Sequence, residues 1–137
     1  MAANGKSLKV IAASVAAAAI VGLGVGPAVQ EACAASPKYS FAEDVMPILK
    51  GRCAECHAAG GAGTEKSGLD LTSYGGLMKG TKFGPMVIPG DAQSSNLMQL
   101  LDWRVSPEIR MPHGKKKLST CDRDAIRGWI NEGAKNN

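Results

Sequence analysis

The chain predicts an all-α fold: apolar residues recur at helical spacing, those stretches begin at capping residues, and no stretch keeps the strict alternation of a strand. The first element starts at Ser40-Phe41-Ala42-Glu43, a capping box in which the serine side chain accepts from the Glu43 amide and the glutamate reaches back. Val45, Ile48 and Leu49 form its apolar stripe, Pro47 fits only near the first turns or at a kink, and the helix leads into Cys53.

A short extended piece is expected over Leu69-Asp70-Leu71-Thr72-Ser73, ending at a cap. A brief helix follows through Leu77 and Met78 and stops at Gly80. Gly84-Pro85 and Pro89-Gly90-Asp91 punctuate the next loop, after which Ser94 or Ser95 caps a helix carrying Leu97, Met98, Leu100, Leu101 and Trp103. The last helix begins at Leu118-Ser119, has Asp122 and Asp124 where the helix dipole favours them, and runs to Gly133. Its Ala125, Ile126, Trp129 and Ile130 share one face, shaped to pack on another helix.

Residues 1–35 carry the pattern of a secretory signal: Lys6 and Lys9, an Ala-rich apolar core over 10–25, and the small-residue box Ala32-Cys33-Ala34. An uncleaved anchor is the competing reading, disfavoured by Gly22, Gly24, Gly26 and Pro27; a lipid-modified Cys33 is disfavoured by Gln30 and Glu31. Residues 36–137 are then one small domain, with no internal repeat and no linker. Removal of the signal takes Lys6, Lys9 and Glu31 and lowers the net charge from +4 to +3. So mild a basicity, with only Lys115-Lys116-Lys117 as a basic run, gives no support for nucleic-acid binding.

Chemistry concentrates in Cys53-Ala54-Glu55-Cys56-His57, a CxxCH pentapeptide, the attachment signature of a covalent haem. Thiols three residues apart on a helical turn share a face and can both add to the haem vinyl groups, while His57 is delivered to one axial side of the iron. A thioredoxin-like redox pair would need a βαβ context, but the motif runs into a flexible glycine-rich stretch over 58–63. A zinc site would need four ligands, and beyond the motif only His113, Cys121 and Cys33 remain. The expected cofactor is one haem c with its iron. With two Phe, two Trp and two Tyr in the chain, the porphyrin would supply missing apolar mass, so the apoprotein is expected to fold poorly.

The second axial position is open to several residues. Met46 is too close to Cys53, and Met78 and Met98 occupy apolar helix positions where Met is usually filler. Met86 and Met111 lie in loops, and His113 is a rival whose ligation would lower the potential. Met111 is favoured because the segment 106–114 is helix-free, long enough to cross the distal face, and leads into the last helix. Cys121 is left unpaired once the signal is removed and is read as a small buried side chain.

With these residues in view the chain resembles the class I cytochromes c, and more closely the bacterial planctomycete-type cytochrome c domain. The likeness is carried by Phe41-Ala42-Glu43-Asp44-Val45-Met46-Pro47-Ile48-Leu49, the CxxCH run, Ser67-Gly68-Leu69-Asp70-Leu71, Val87-Ile88-Pro89-Gly90-Asp91, Met111-Pro112, and Leu118-Ser119 with Trp129-Ile130-Asn131-Glu132-Gly133-Ala134. It implies a cytochrome c-like fold of about four to five helices around one haem, Met111 as distal ligand, and the Pro85 carbonyl as acceptor of the His57 Nδ1 proton. The usual Met-Pro-Pro is Met111-Pro112-His113 here, which keeps a ligand swap in play.

The resulting expectation is a periplasmic one-electron carrier rather than an enzyme, exchanging electrons with a redox protein donor and acceptor. Lys115, Lys116 and Lys117 would steer an acidic partner. Two alternatives stand beside it: a haem subunit of a larger membrane oxidoreductase complex, and a five-coordinate haem enzyme or sensor should Met111 not ligate.

Overall fold

A computed structural model describes residues 38–137, and the expected export signal lies outside the described residues. The described part is helical, with six short α-helices and no strand among the described residues, so the all-α expectation holds. Four of the six helices have six residues or fewer, and such short turns are why the count exceeds the four to five expected.

The chain opens with a π-helical turn, Phe41–Val45, that passes into α1, Met46–Arg52. Ser40 Oγ accepts from the Glu43 amide at 3.3 Å as expected, but the group reaching back to the Ser40 amide is the Asp44 carboxylate, at 2.7 Å. The wider turn explains the change: Val45 N–H reaches the Ser40 carbonyl five residues back, and one more residue is needed to close the box. Pro47, lacking an N–H, sits in the first positions of α1, where none is required.

After a break at Cys53 comes α2, Ala54–His57, and then α3, Ala62–Ser67, which ends at Gly68 in the left-handed conformation. The glycine-rich stretch is thus ordered and half-helical rather than flexible. Gly61 is there for close approach, since a Cβ would lie 2.5 Å from the Cys56 carbonyl oxygen. Ser73 caps α4, Tyr74–Lys79, through the Gly76 amide at 3.0 Å, and Gly80 stops it.

The next helix, α5, spans Asn96–Leu101, so Trp103 falls beyond its end. Ser95 stands at its start but caps nothing with its side chain; the hydroxyl donates to the Asp91 carbonyl at 2.7 Å and accepts from the Ile88 amide at 2.9 Å. A 3₁₀ turn at Pro107–Ile109 interrupts the segment before Met111. The last helix, α6, Thr120–Asn131, starts where expected, with Ser119 Oγ accepting from the Asp122 amide at 3.0 Å.

The core forms where α6 meets the opening turn. Phe41, Tyr74 and Trp129 pack together, with ring centroids of Phe41 5.2 Å from Tyr74 and 5.3 Å from Trp129. Ile126 and Ile130 are fully buried beside them, and Leu49, Leu77 and Met98 complete the core. Met98 and Leu77 are therefore packing residues, as their helical spacing predicts.

The crossing is close because α6 carries Gly128: a Cβ there would lie 2.1 Å from Tyr39 Cε2 and 2.3 Å from Cδ2. Gly128→Ala sets a helix-propensity gain of about 1 kcal/mol against an overpacking cost of about 1–3 kcal/mol. The steric term prevails because Tyr39 is tethered, its amide donating to Glu132 Oε2 at 2.8 Å. A net loss of about 1–2 kcal/mol is expected in urea unfolding, and a variant more stable than the parent would mean that the Tyr39 ring swings clear at no cost.

Candidate functional site

His57 is the last residue of α2, and its imidazole is buried. Its Nδ1 lies 3.2 Å from the Leu69 carbonyl oxygen. A carbonyl only accepts, so Nδ1 is the donor in this contact and Nε2 faces away from it. The ring is clamped from both ends, because the Leu71 amide donates to the His57 carbonyl at 2.8 Å and Thr64 Oγ1 donates to the same Leu69 oxygen at 2.9 Å.

This corrects the expectation for Pro85. Its carbonyl accepts from Asn96 Nδ2 at 3.1 Å, while the Ser67–Leu71 strap, hydrogen-bonded directly beside His57, supplies the imidazole's acceptor. The strap was legible only as an extended piece; the backbone bond from Leu71 to His57 that brings it alongside joins residues fourteen apart and leaves no local mark.

The sequence-derived residues Cys53, Cys56, His57, Met111 and His113 all line one cavity of about 600 Å³, the size of a small-molecule or cofactor site. Met86, buried, lines it too. Cys53 is half-buried in the wall, and burial pushes its thiol up to about 11; Cys56 is exposed at the rim, and both are free thiols. Cys121, in contrast, is disulfide-bonded in the full-length chain, whereas the unpaired thiol is an expectation for the chain without its signal.

Whether these residues suit a haem is tested by Gly63 on α3. A Cβ built there would sit 2.7 Å from His57 Cε1 and 2.8 Å from Nε2, so glycine keeps the Nε2 edge of the imidazole clear. The donor set agrees: among the described residues no three His, Cys, Asp or Glu side chains converge as a bare metal ion would require, whereas one imidazole and one soft thioether suit an iron already carried in a macrocycle. Gly63→Ala is expected to raise helix propensity yet lower holoprotein stability by about 1–3 kcal/mol, by driving a methyl into the imidazole. Thermal melts with haem content per polypeptide measure it; an unchanged melt and haem content would show that the ring has room to retreat.

The cavity mouth is bridged by an ion pair. Lys115, four residues past Met111, donates to Glu55, between the two cysteines, and holds the Glu55 carboxyl below its ordinary value through that hydrogen bond. Lys117 Nζ donates to the Asp102 carbonyl at 2.7 Å. Two of the three lysines expected to steer a partner are thus engaged within the fold. Asp102 itself takes Arg123 Nη1 at 2.8 Å and Arg127 Nη2 at 2.9 and 3.0 Å, tying the end of α5 to α6. Burial raises its pKa, but the two guanidiniums outweigh this and hold the carboxyl below the usual value.

Two free thiols, an oriented imidazole and a thioether thus line one cavity in a small helical domain, the donor types of a c-type cytochrome. Residues 53–113 match the family described as Planctomycete cytochrome C, a span from Cys53 to just past Met111-Pro112, and the match supports a cytochrome c-type domain with a haem-binding, electron-transfer role. The opening turn and α6 lie outside that span. No curated protein and no solved structure matches the chain.

Proposed function

We propose that this protein is a periplasmic monohaem electron carrier in which His57 and Met111 are the two axial ligands and Cys53 and Cys56 the thioether tethers. The observation that carries the reading is the convergence of these four side chains on one cavity, with Nδ1 of His57 held by the Leu69 carbonyl and Nε2 kept clear by Gly63. A covalently bound haem supplies the Fe(III)/Fe(II) couple. The residues do the remainder: the Leu69 carbonyl draws on the Nδ1 proton and strengthens the donor at Nε2, and Met111 offers a soft thioether that favours the reduced state. Leu69, Leu71, Met86 and Leu97 on the wall exclude water from the site.

Export fits a domain that acquires its haem outside the cytoplasm, and among the described residues no helix is long and apolar enough to cross a membrane. The partners are a protein donor and a protein acceptor met transiently. With Lys115 paired to Glu55 and the net charge small, the salt dependence of that encounter should be shallow. Potentiometry with visible spectra of both states tests the function: a reversible one-electron wave with a sulfur-to-Fe(III) band in the oxidised form is expected, and an oxidised form lacking the band that turns over peroxide would replace the carrier with an enzyme.

A further inference from the structure

We infer that Trp103 is a positioning residue for the Met111 loop, its indole N–H holding the Met111 carbonyl and thereby fixing how steadily the thioether is presented to the cavity. The inference rests on the reading of Met111 as the axial donor. The Met111 peptide groups are bracketed on both sides: its N–H donates to the Leu100 carbonyl at 3.3 Å, and its carbonyl accepts from Trp103 Nε1 at 2.9 Å. The Trp103 amide also donates to the Leu100 carbonyl, at 3.2 Å, so the end of α5 anchors both residues.

Trp103 adopts φ 62°, a left-handed conformation that a bulky side chain rarely takes. Such a backbone persists only where its surroundings over-determine it, and here they do. The preceding Asp102 is pinned to α6 by Arg123 and Arg127. The guanidinium of Arg110, adjacent to Met111, lies 5.4 Å from the indole centroid, and the ammonium of Lys117 lies 5.6 Å from it. The indole is therefore gripped by cations from both flanks of the loop it holds, and α6, Asp102, Trp103 and Met111 form one connected support. A tryptophan serving only as packing would have no need of the loop's own carbonyl.

The test compares Trp103→Phe, which keeps an aromatic ring for the two cations but removes the donor, with Met111→Ala, both as covalently loaded holoprotein. The readouts are the sulfur-to-Fe(III) band and the rate at which added imidazole binds the ferric form, which reports opening of the iron–sulfur bond. With one hydrogen bond lost, Trp103→Phe is expected to bind imidazole about five- to ten-fold faster with a weakened band, while Met111→Ala loses the band outright. Should Trp103→Phe fail to accumulate, Trp103→Tyr, which moves the donor away from the indole position, is read the same way. A full band and an imidazole rate within two-fold of the parent in the Trp103 variant, with the band lost in Met111→Ala, overturns the positioning role and leaves the ligand assignment standing. A band that survives in Met111→Ala overturns that assignment, and the role of Trp103 with it.

Discussion

Replacing both Cys53 and Cys56 with alanine is expected to abolish haem that survives denaturation, while either single change leaves one thioether and a weaker tether. The two thiols enter the same cavity from successive turns, Cys53 from the wall and Cys56 from the rim, and neither is engaged in any disulfide that would compete for it. The consequence reaches beyond attachment. Leu69, Leu71, Met86 and Leu97 face that cavity, and a group that binds only the native state stabilises it by linkage, so losing the tether removes stabilisation from a domain with few large side chains. Haem staining on a denaturing gel reads the attachment, and protease sensitivity of the exported chain reads the folding. Retention of haem through denaturation by the double variant would remove the tether assignment.

How far the sequence revealed this arrangement depended on whether the signal was local. The caps at Ser40, Ser73 and Ser119 and the apolar face of α6 are written within four residues of one another, and all stand in the structure. The CxxCH run is local as well, which is why its five residues could be placed without any knowledge of the fold. Glycine was the misread letter. Gly61 and Gly63 looked like freedom, but they are places where a carbonyl and an imidazole come too close for a side chain, a demand made by residues folded back onto them. The acceptor for His57 failed for a related reason. Pro85 followed from family resemblance, whereas the carbonyl that meets Nδ1 belongs to Leu69, brought there by the bond from the Leu71 amide. Lys115 and Lys117 also have partners, Glu55 and the Asp102 carbonyl, that come from elsewhere in the chain and leave no mark in the local sequence.

Met111→Ala is expected to change the protein's chemistry most while disturbing its packing least. Met111 is half-buried and lies at the edge of the core rather than within it, so truncation leaves Trp129, Ile126 and Ile130 in place and the fold intact. The iron, however, would lose the soft ligand that favours Fe(II), so the midpoint potential should fall, the sulfur-to-Fe(III) band should vanish, and the reduced form should bind carbon monoxide. Met86 is the control that decides the assignment. It too lines the cavity, but it is buried, and its carbonyl accepts the Leu97 amide at 2.9 Å, placing it in the wall where α5 begins. Met86→Ala should therefore lower stability by about 2–5 kcal/mol, the usual cost of truncating a buried Met, and keep the band. His113, exposed at the mouth two residues beyond Met111, provides the other comparison: in the Met111 variant it becomes the nearest imidazole, and a low-potential six-coordinate spectrum that disappears on adding His113→Ala would identify it as the substitute ligand. Loss of the band in the Met86 variant, with its survival in the Met111 variant, would transfer the axial role to Met86 and make the 106–114 segment a cover rather than a source of ligand.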